Sequence, residues 1–164
     1  MIFQLRREEF SATRVLFSVL FLMVSSKFVI PLYPVPITGQ LMAVYFLGLV
    51  LNPRESFAAV VGYVACGICG LPVFCGGGWG SPGSGYLVGM IFAAPIIGIL
   101  FRKGFSLITS CASGCLIVYL FGCAWLAKFV PLSSVFALGV APFLVVDALK
   151  IAVVCGILCK KKAN

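Results

Sequence analysis

Long apolar runs separated by short polar, glycine-rich or proline-rich gaps set the rhythm of this chain. The runs predict six hydrophobic segments, at about Thr13–Ile30, Gly39–Leu51, Phe57–Leu71, Tyr86–Phe101, Phe105–Val130, and from Val135 to the lysine tail. The gaps carry residues that stop helices. "IPLYPVPIT" holds Pro31, Pro34 and Pro36, each lacking the N–H that a helix interior needs. "NPRES" reads as a polar turn around Pro53, and "LPVFCGGGWGSPGSG" as a glycine-rich loop after the third segment. Crossing a bilayer takes about 20 apolar residues. The second and third segments are shorter, so a hairpin or re-entrant course stays open for them beside a full crossing.

Composition decides what solvent these segments meet. The chain is 62% hydrophobic and 10% charged over 164 residues, where soluble domains run at about 45–50% apolar and about 25% charged. A soluble domain of this size has no interior large enough for so much apolar surface. The expectation is an all-α integral membrane protein: one domain over residues 1–164, a six-transmembrane-helix bundle with a glycine-rich outer loop between helices 3 and 4.

A net charge of +8 suggests nucleic acid until the charges are placed. Arg6, Arg7, Arg14, Arg54, Arg102, Lys103 and Lys160 to Lys162, nine of the twelve basic residues, fall in gaps or at the chain ends that share one side of a six-span topology. That asymmetry follows the positive-inside rule, and it predicts a multi-pass plasma-membrane protein with both termini cytoplasmic. No contiguous basic face remains for nucleic acid. The first apolar run leads into further spans, which argues against a cleaved signal peptide.

The eight cysteines mostly sit inside apolar runs, there is no His, and only four acids occur. A metal site or other resident cofactor is therefore not expected. "CGIC" at Cys66–Cys69 raises a membrane thiol oxidoreductase, but no neighbouring cation or base is there to form a thiolate, so the pair reads as filling. Small residues four apart, Ala58-Gly62-Cys66-Gly70, Gly85-Gly89 and Ser106-Ser110-Gly114, mark faces where helix backbones come close.

Two features ask for a function. Asp147 and Lys150 lie within the last apolar segment, three residues apart and so on one helix face. Intramembrane ionisable residues are expensive and by default mark a substrate path, proton relay or ligand; the competing reading is a structural ion pair. The loop around Gly76, Gly77 and Gly78 can fold back over a cavity and offer backbone N–H groups to a ligand. Trp79 and Tyr86 beside it could stack on a ring or sit in the membrane interface.

Three stretches in this order resemble the BioY family, the biotin-binding S components of energy-coupling-factor transporters. They are "VPITGQ" (Val35–Gln40), "GYVACGICGLPVFCGGG" with "GYLVG" (Gly62–Gly78 and Gly85–Gly89), and "APFLVVDALK" (Ala141–Lys150). The resemblance implies a bundle that binds biotin from outside, with Asp147, Lys150 and the glycine loop forming the site. It adds Thr38, Gln40 and Tyr86 as further candidates. It implies coupling and ATPase subunits supplied in trans, since the chain has no ATP-binding motif, with solitary uptake as the other course. Gly39 stands where the family's "PIT-x-Q" usually has a larger residue, and Ser18, Leu22 and Ser26 replace the alanine ladder of the first span. The remaining alternatives are an enzyme acting through Cys66/Cys69, one acting on a lipid through Asp147/Lys150, and an S component for another vitamin.

Overall fold

The computed structural model describes residues 10–75 and 77–163. The chain is mostly helical. It runs α1 (Ala12–Ser25), a two-strand hairpin of β1 (Val29–Ile30) and β2 (Ile37–Thr38), α2 (Gln40–Val50), α3 (Pro53–Ile68), α4 (Ser84–Arg102), α5 (Leu107–Leu126), α6 (Leu132–Gly139) and α7 (Ala141–Ala163). The segments Ser84–Arg102, Leu107–Leu126 and Leu132–Lys160 are long and apolar enough to cross a membrane, and Ala12–Ser25 and Gln40–Val50 are shorter apolar helices. This is a multi-pass membrane protein.

Three departures from the sequence expectation have local causes. The first segment stops at Ser25, and the proline-rich stretch pairs antiparallel with what precedes it, Val29 opposite Thr38 and Ile30 opposite Ile37. Prolines hold the chain extended, and extended backbone finds its partner in another strand. The fold is therefore not strictly all-α. The third helix begins at Pro53 rather than near Phe57, because Asn52 and Glu55 form a capping box with Pro53 in the first turn. The sixth segment is two helices. Pro142 has no N–H to return to the preceding turn, and the chain breaks at Val140, whose φ and ψ are −127° and −53°.

Polarity is sorted opposite to that of a soluble bundle. Ser18, Gln40, Glu55, Ser110 and Asp147 are buried, while Phe17, Leu20, Leu116, Leu120, Val145 and Leu149 face outward. In lipid the outer face needs no polar group, and every inner one needs a partner. The tightest contact joins α4 to α5. A Cβ on Gly89 would lie 2.7 Å from the Val118 backbone, and one on Gly85 or Gly122 would enter the Trp125 side chain or the Tyr86 ring. Close backbone approach of this kind supplies dispersion contacts that lipid cannot match.

The two ends of the bundle are fastened differently. At one, Arg102 donates to the Leu51 carbonyl at 2.8 Å, and the Ser11 amide donates to Glu55 at 2.9 Å. At the other, Lys27 donates to the Pro72 carbonyl at 2.5 Å and the Trp125 indole to the Ser81 carbonyl at 3.1 Å. These last two bonds hold the glycine-rich loop at both of its shoulders.

Candidate functional site

Asp147 lies in the second turn of α7 and Lys150 one turn further on. Their spacing brings Nζ to 2.7 Å from Oδ1, and the two side chains are only 3% and 11% exposed. The second carboxylate oxygen accepts from the Tyr119 hydroxyl of α5 at 2.6 Å, and the Cys115 thiol lies 3.9 Å from it. Such charge-assisted bonds are about twice as strong as neutral ones. Each oxygen of Asp147 thus has a donor, yet a carboxylate offers about four acceptor positions and an ammonium three donors. The pair keeps capacity for a guest.

That capacity opens onto a cavity between the hairpin, α2, α4, α5 and α7. Five of the residues singled out from the sequence line it: Thr38, Gln40, Tyr86, Asp147 and Lys150. They arrive from three separate stretches of chain, the β2–α2 junction, α4 and α7. Thr38 closes the hairpin and donates to the Gln40 side-chain oxygen at 2.8 Å. The Gln40 amide then bonds the Tyr63 hydroxyl, which donates to the Val73 carbonyl at 2.7 Å. One continuous chain of bonds so links the hairpin, α2, α3 and the start of the glycine-rich loop. Gly39 has a reason to be small, because a Cβ there would stand 2.7 Å from the Ser25 carbonyl oxygen.

Tyr86 is held by the helix break. With Pro142 inside the first turn of α7, the Phe143 amide bonds Val140 at 2.9 Å rather than Gly139. The freed Gly139 carbonyl takes the Tyr86 hydroxyl at 2.7 Å instead. This fixes the Tyr86 ring against Phe143, centroids 5.9 Å apart, as an aromatic wall of the cavity.

The glycine-rich loop reaches the cavity through Phe74, Cys75, Ser81 and Gly83, while Gly77 and Gly78 are not part of its lining. Gly77 and Gly80 adopt φ of +119° and +98°, which L side chains rarely tolerate, so they shape the turn instead. Gly76 lies outside the described residues. Trp79 is 46% exposed, its ring 6.3 Å from that of Phe74. Cys75 is half-buried, and that burial pushes its thiol up, with the nearby Lys27 charge acting against the shift. The other sequence-flagged thiols stay apart from the site: Cys66 is half-buried and Cys69 exposed, and neither lines the cavity.

Sequence reasoning missed Tyr119, Phe143 and Val35 as lining residues. Tyr119 sits inside an unbroken apolar run, where nothing separates it from a core or lipid-facing aromatic. Only the packing of α5 on α7 sets its hydroxyl on Asp147.

The arrangement favours one kind of guest. A neutralised ion pair in low dielectric offers little to a full charge but strong acceptors and donors to a neutral polar group. The cavity therefore suits a small molecule with N–H donors and a carbonyl at one end and an apolar body, flanked by Tyr86, Phe143 and Val118.

Comparison with known proteins agrees in sequence and in fold. Residues 4–163 match the model of the BioY family. A probable biotin transporter BioY of Pyrococcus horikoshii is 38% identical over 134 residues, covering 79% of this chain and 82% of that protein. The biotin transporter BioY of Thermotoga maritima is 36% identical, covering 76% and 79%. A crystal structure of the S-component for biotin from an ECF-type ABC transporter superposes with a TM-score of 0.80 at 24% identity, over 93% of this chain and 90% of the other. The chain belongs to the BioY family.

Proposed function

We propose that this protein takes up biotin, capturing it from the outer face of the plasma membrane in the cavity between α2, α4, α5 and α7. The observation that carries the reading is the Asp147–Lys150 pair, buried, bonded at 2.7 Å and facing that cavity. Biotin's ureido ring brings two N–H donors for Asp147 and a carbonyl for Lys150, its fused rings pack against Tyr86 and Phe143, and its valerate points toward the mouth. Thr38 and Gln40 brace the wall opposite. The glycine-rich loop after α3 caps the mouth, with its Phe74 and Cys75 lining the cavity.

Six membrane crossings with both termini cytoplasmic fit the arrangement. Nine of the twelve basic residues then lie on the cytoplasmic side, and the Glu55 end of the bundle faces inward. The protein acts as the substrate-capture subunit of an energy-coupling-factor transporter, with a transmembrane coupling subunit and ATPase subunits supplied in trans. Membership of a family of transport components leaves the thiol-oxidoreductase and lipid-enzyme readings without support.

The test is binding of labelled biotin to detergent-purified protein, with unlabelled biotin, thiamine and riboflavin as competitors. Tight binding displaced by biotin alone is expected. Displacement by a different vitamin would reassign the substrate, and no binding would remove it.

A further inference from the structure

Beside the glycine-rich loop stands a charge that the bundle itself does not neutralise. Lys27 holds one shoulder of the loop, its Nζ donating to the Pro72 carbonyl at 2.5 Å. Phe74 and Cys75, two and three residues further on, line the cavity. The Cys75 thiol donates in turn to the carbonyl of Ser26, the residue before Lys27. Lys27 is thus tied to the loop on both sides, and its charge acts on the Cys75 thiol. Its side chain is exposed, and one bond to Pro72 leaves the ammonium two further donors.

The described carboxylates are committed elsewhere. Glu55 takes the Ser11 and Asn52 amides at the opposite end of the bundle, and Asp147 takes Lys150 and Tyr119. Among the described lining residues Lys150 is the single cation, and Asp147 neutralises it. Lys128, near the other shoulder, lies 4.1 Å over the Trp125 ring, so an aromatic face already takes up part of its charge. On the topology proposed above, a lysine on the outer side also runs against the positive-inside bias.

We infer that Lys27 receives the carboxylate of the ligand at the mouth, a recognition point separate from the Asp147–Lys150 pair. The inference rests on the biotin reading above and adds what that reading lacks, a partner for the charged end of the ligand. The ureido ring is neutral, whereas the valerate is ionised at neutral pH. A carboxylate drawn out of water without a counter-charge is costly, and Lys27 supplies one beside the loop that caps the cavity. The pairing selects for acids. A neutral amide with the same ring system fills the cavity equally and lacks the contact with Lys27.

The test is displacement of labelled biotin from the full chain in detergent, with biotin and biotinamide as competitors. Wild type should favour biotin over biotinamide by about fivefold, the scale of an exposed ion pair. Lys27→Gln keeps an N–H for Pro72 but no charge, so it should bind the two equally, with biotinamide affinity unchanged. Lys27→Arg and Lys128→Gln should both keep the preference. A wild type that binds the two equally overturns the inference without any variant. So does a Lys27→Gln protein that loses both ligands in the same proportion, since Lys27 is then a strut of the loop. If wild type binds neither ligand, the uptake reading fails and takes this inference with it. Tight biotin binding with no preference over the amide rejects the inference alone.

Discussion

Among the described residues two carboxylates are buried, and they are held in opposite ways. Glu55, with no exposed surface, accepts from the Ser11 amide at 2.9 Å and the Asn52 amide at 3.3 Å. The Arg14 guanidinium lies 3.7 Å away, on a side chain 43% exposed. Two of its donors belong to backbone, one of them fixed by the capping turn of α3. Asp147 takes its donors from side chains, Lys150 and Tyr119, which have torsions free to turn. Glu55 lines no part of the cavity, whereas Asp147 faces it. Burial of a charge alone therefore does not mark a ligand site. On the function proposed here, the mark of one is a charge whose partners can be exchanged beside a space that admits a guest.

The comparison breaks most sharply at Asp147. Asp147→Asn should lower biotin affinity by roughly 100-fold, about 2.7 kcal/mol, since an amide cannot accept from every donor that the carboxylate takes. Labelled-biotin binding with ligand-free melting in parallel checks this, and intact affinity would make the pair structural like Glu55. Glu55→Gln should show the reverse split: a stability loss of about 1–3 kcal/mol as the capping box and the α1 contact weaken, with biotin affinity of the folded protein nearly unchanged. Thermal unfolding against binding stoichiometry separates the two, and an affinity loss at constant stability would show that the two ends of the bundle are coupled.

Smaller effects sharpen the picture near the cavity wall. Gly122→Ala sets a methyl into the Tyr86 ring. Overpacking of this kind typically costs about 1–3 kcal/mol, and it should pull the Tyr86 hydroxyl from the Gly139 carbonyl. Lowered melting with a several-fold weaker affinity is the expected result, and Gly156→Ala, where no atom lies within reach of the new methyl, is the control. The smallest effect concerns Cys75. Burial holds its thiol above the ordinary range, so the reactive thiolate is scarce at neutral pH, and alkylation should quicken as the solution is made alkaline. Maleimide labelling of a variant retaining only Cys75 should be slow near pH 7 and slower again with biotin bound. Equal rates with and without biotin would place the loop away from the ligand.

Much of this was legible in the residues. Apolar runs and their breaks mark the helices to within a few positions, because in lipid the outward face of every element must be apolar. Asp147 and Lys150 stand out since charge is rare in such runs. The misreadings were those in which one short signal competes with a long one. Pro142 breaks α6 from α7 within an unbroken apolar stretch, and the Asn52–Glu55 box begins α3 inside what looked like a turn.

The sequence by itself determined the solvent of this protein, the rough extent of its apolar segments, its family and the charged pair inside the last of them. These follow from composition and local spacing, which need no partner across the fold. Only the tertiary structure decided which polar residues meet: Tyr119 on Asp147, Tyr86 on the Gly139 carbonyl, and Gln40 on Tyr63. A tyrosine in an apolar run looks the same whether its hydroxyl meets lipid, core or carboxylate. The difference comes from how neighbouring helices pack, and here glycines on α4 and α5 let the backbones close to contact distance.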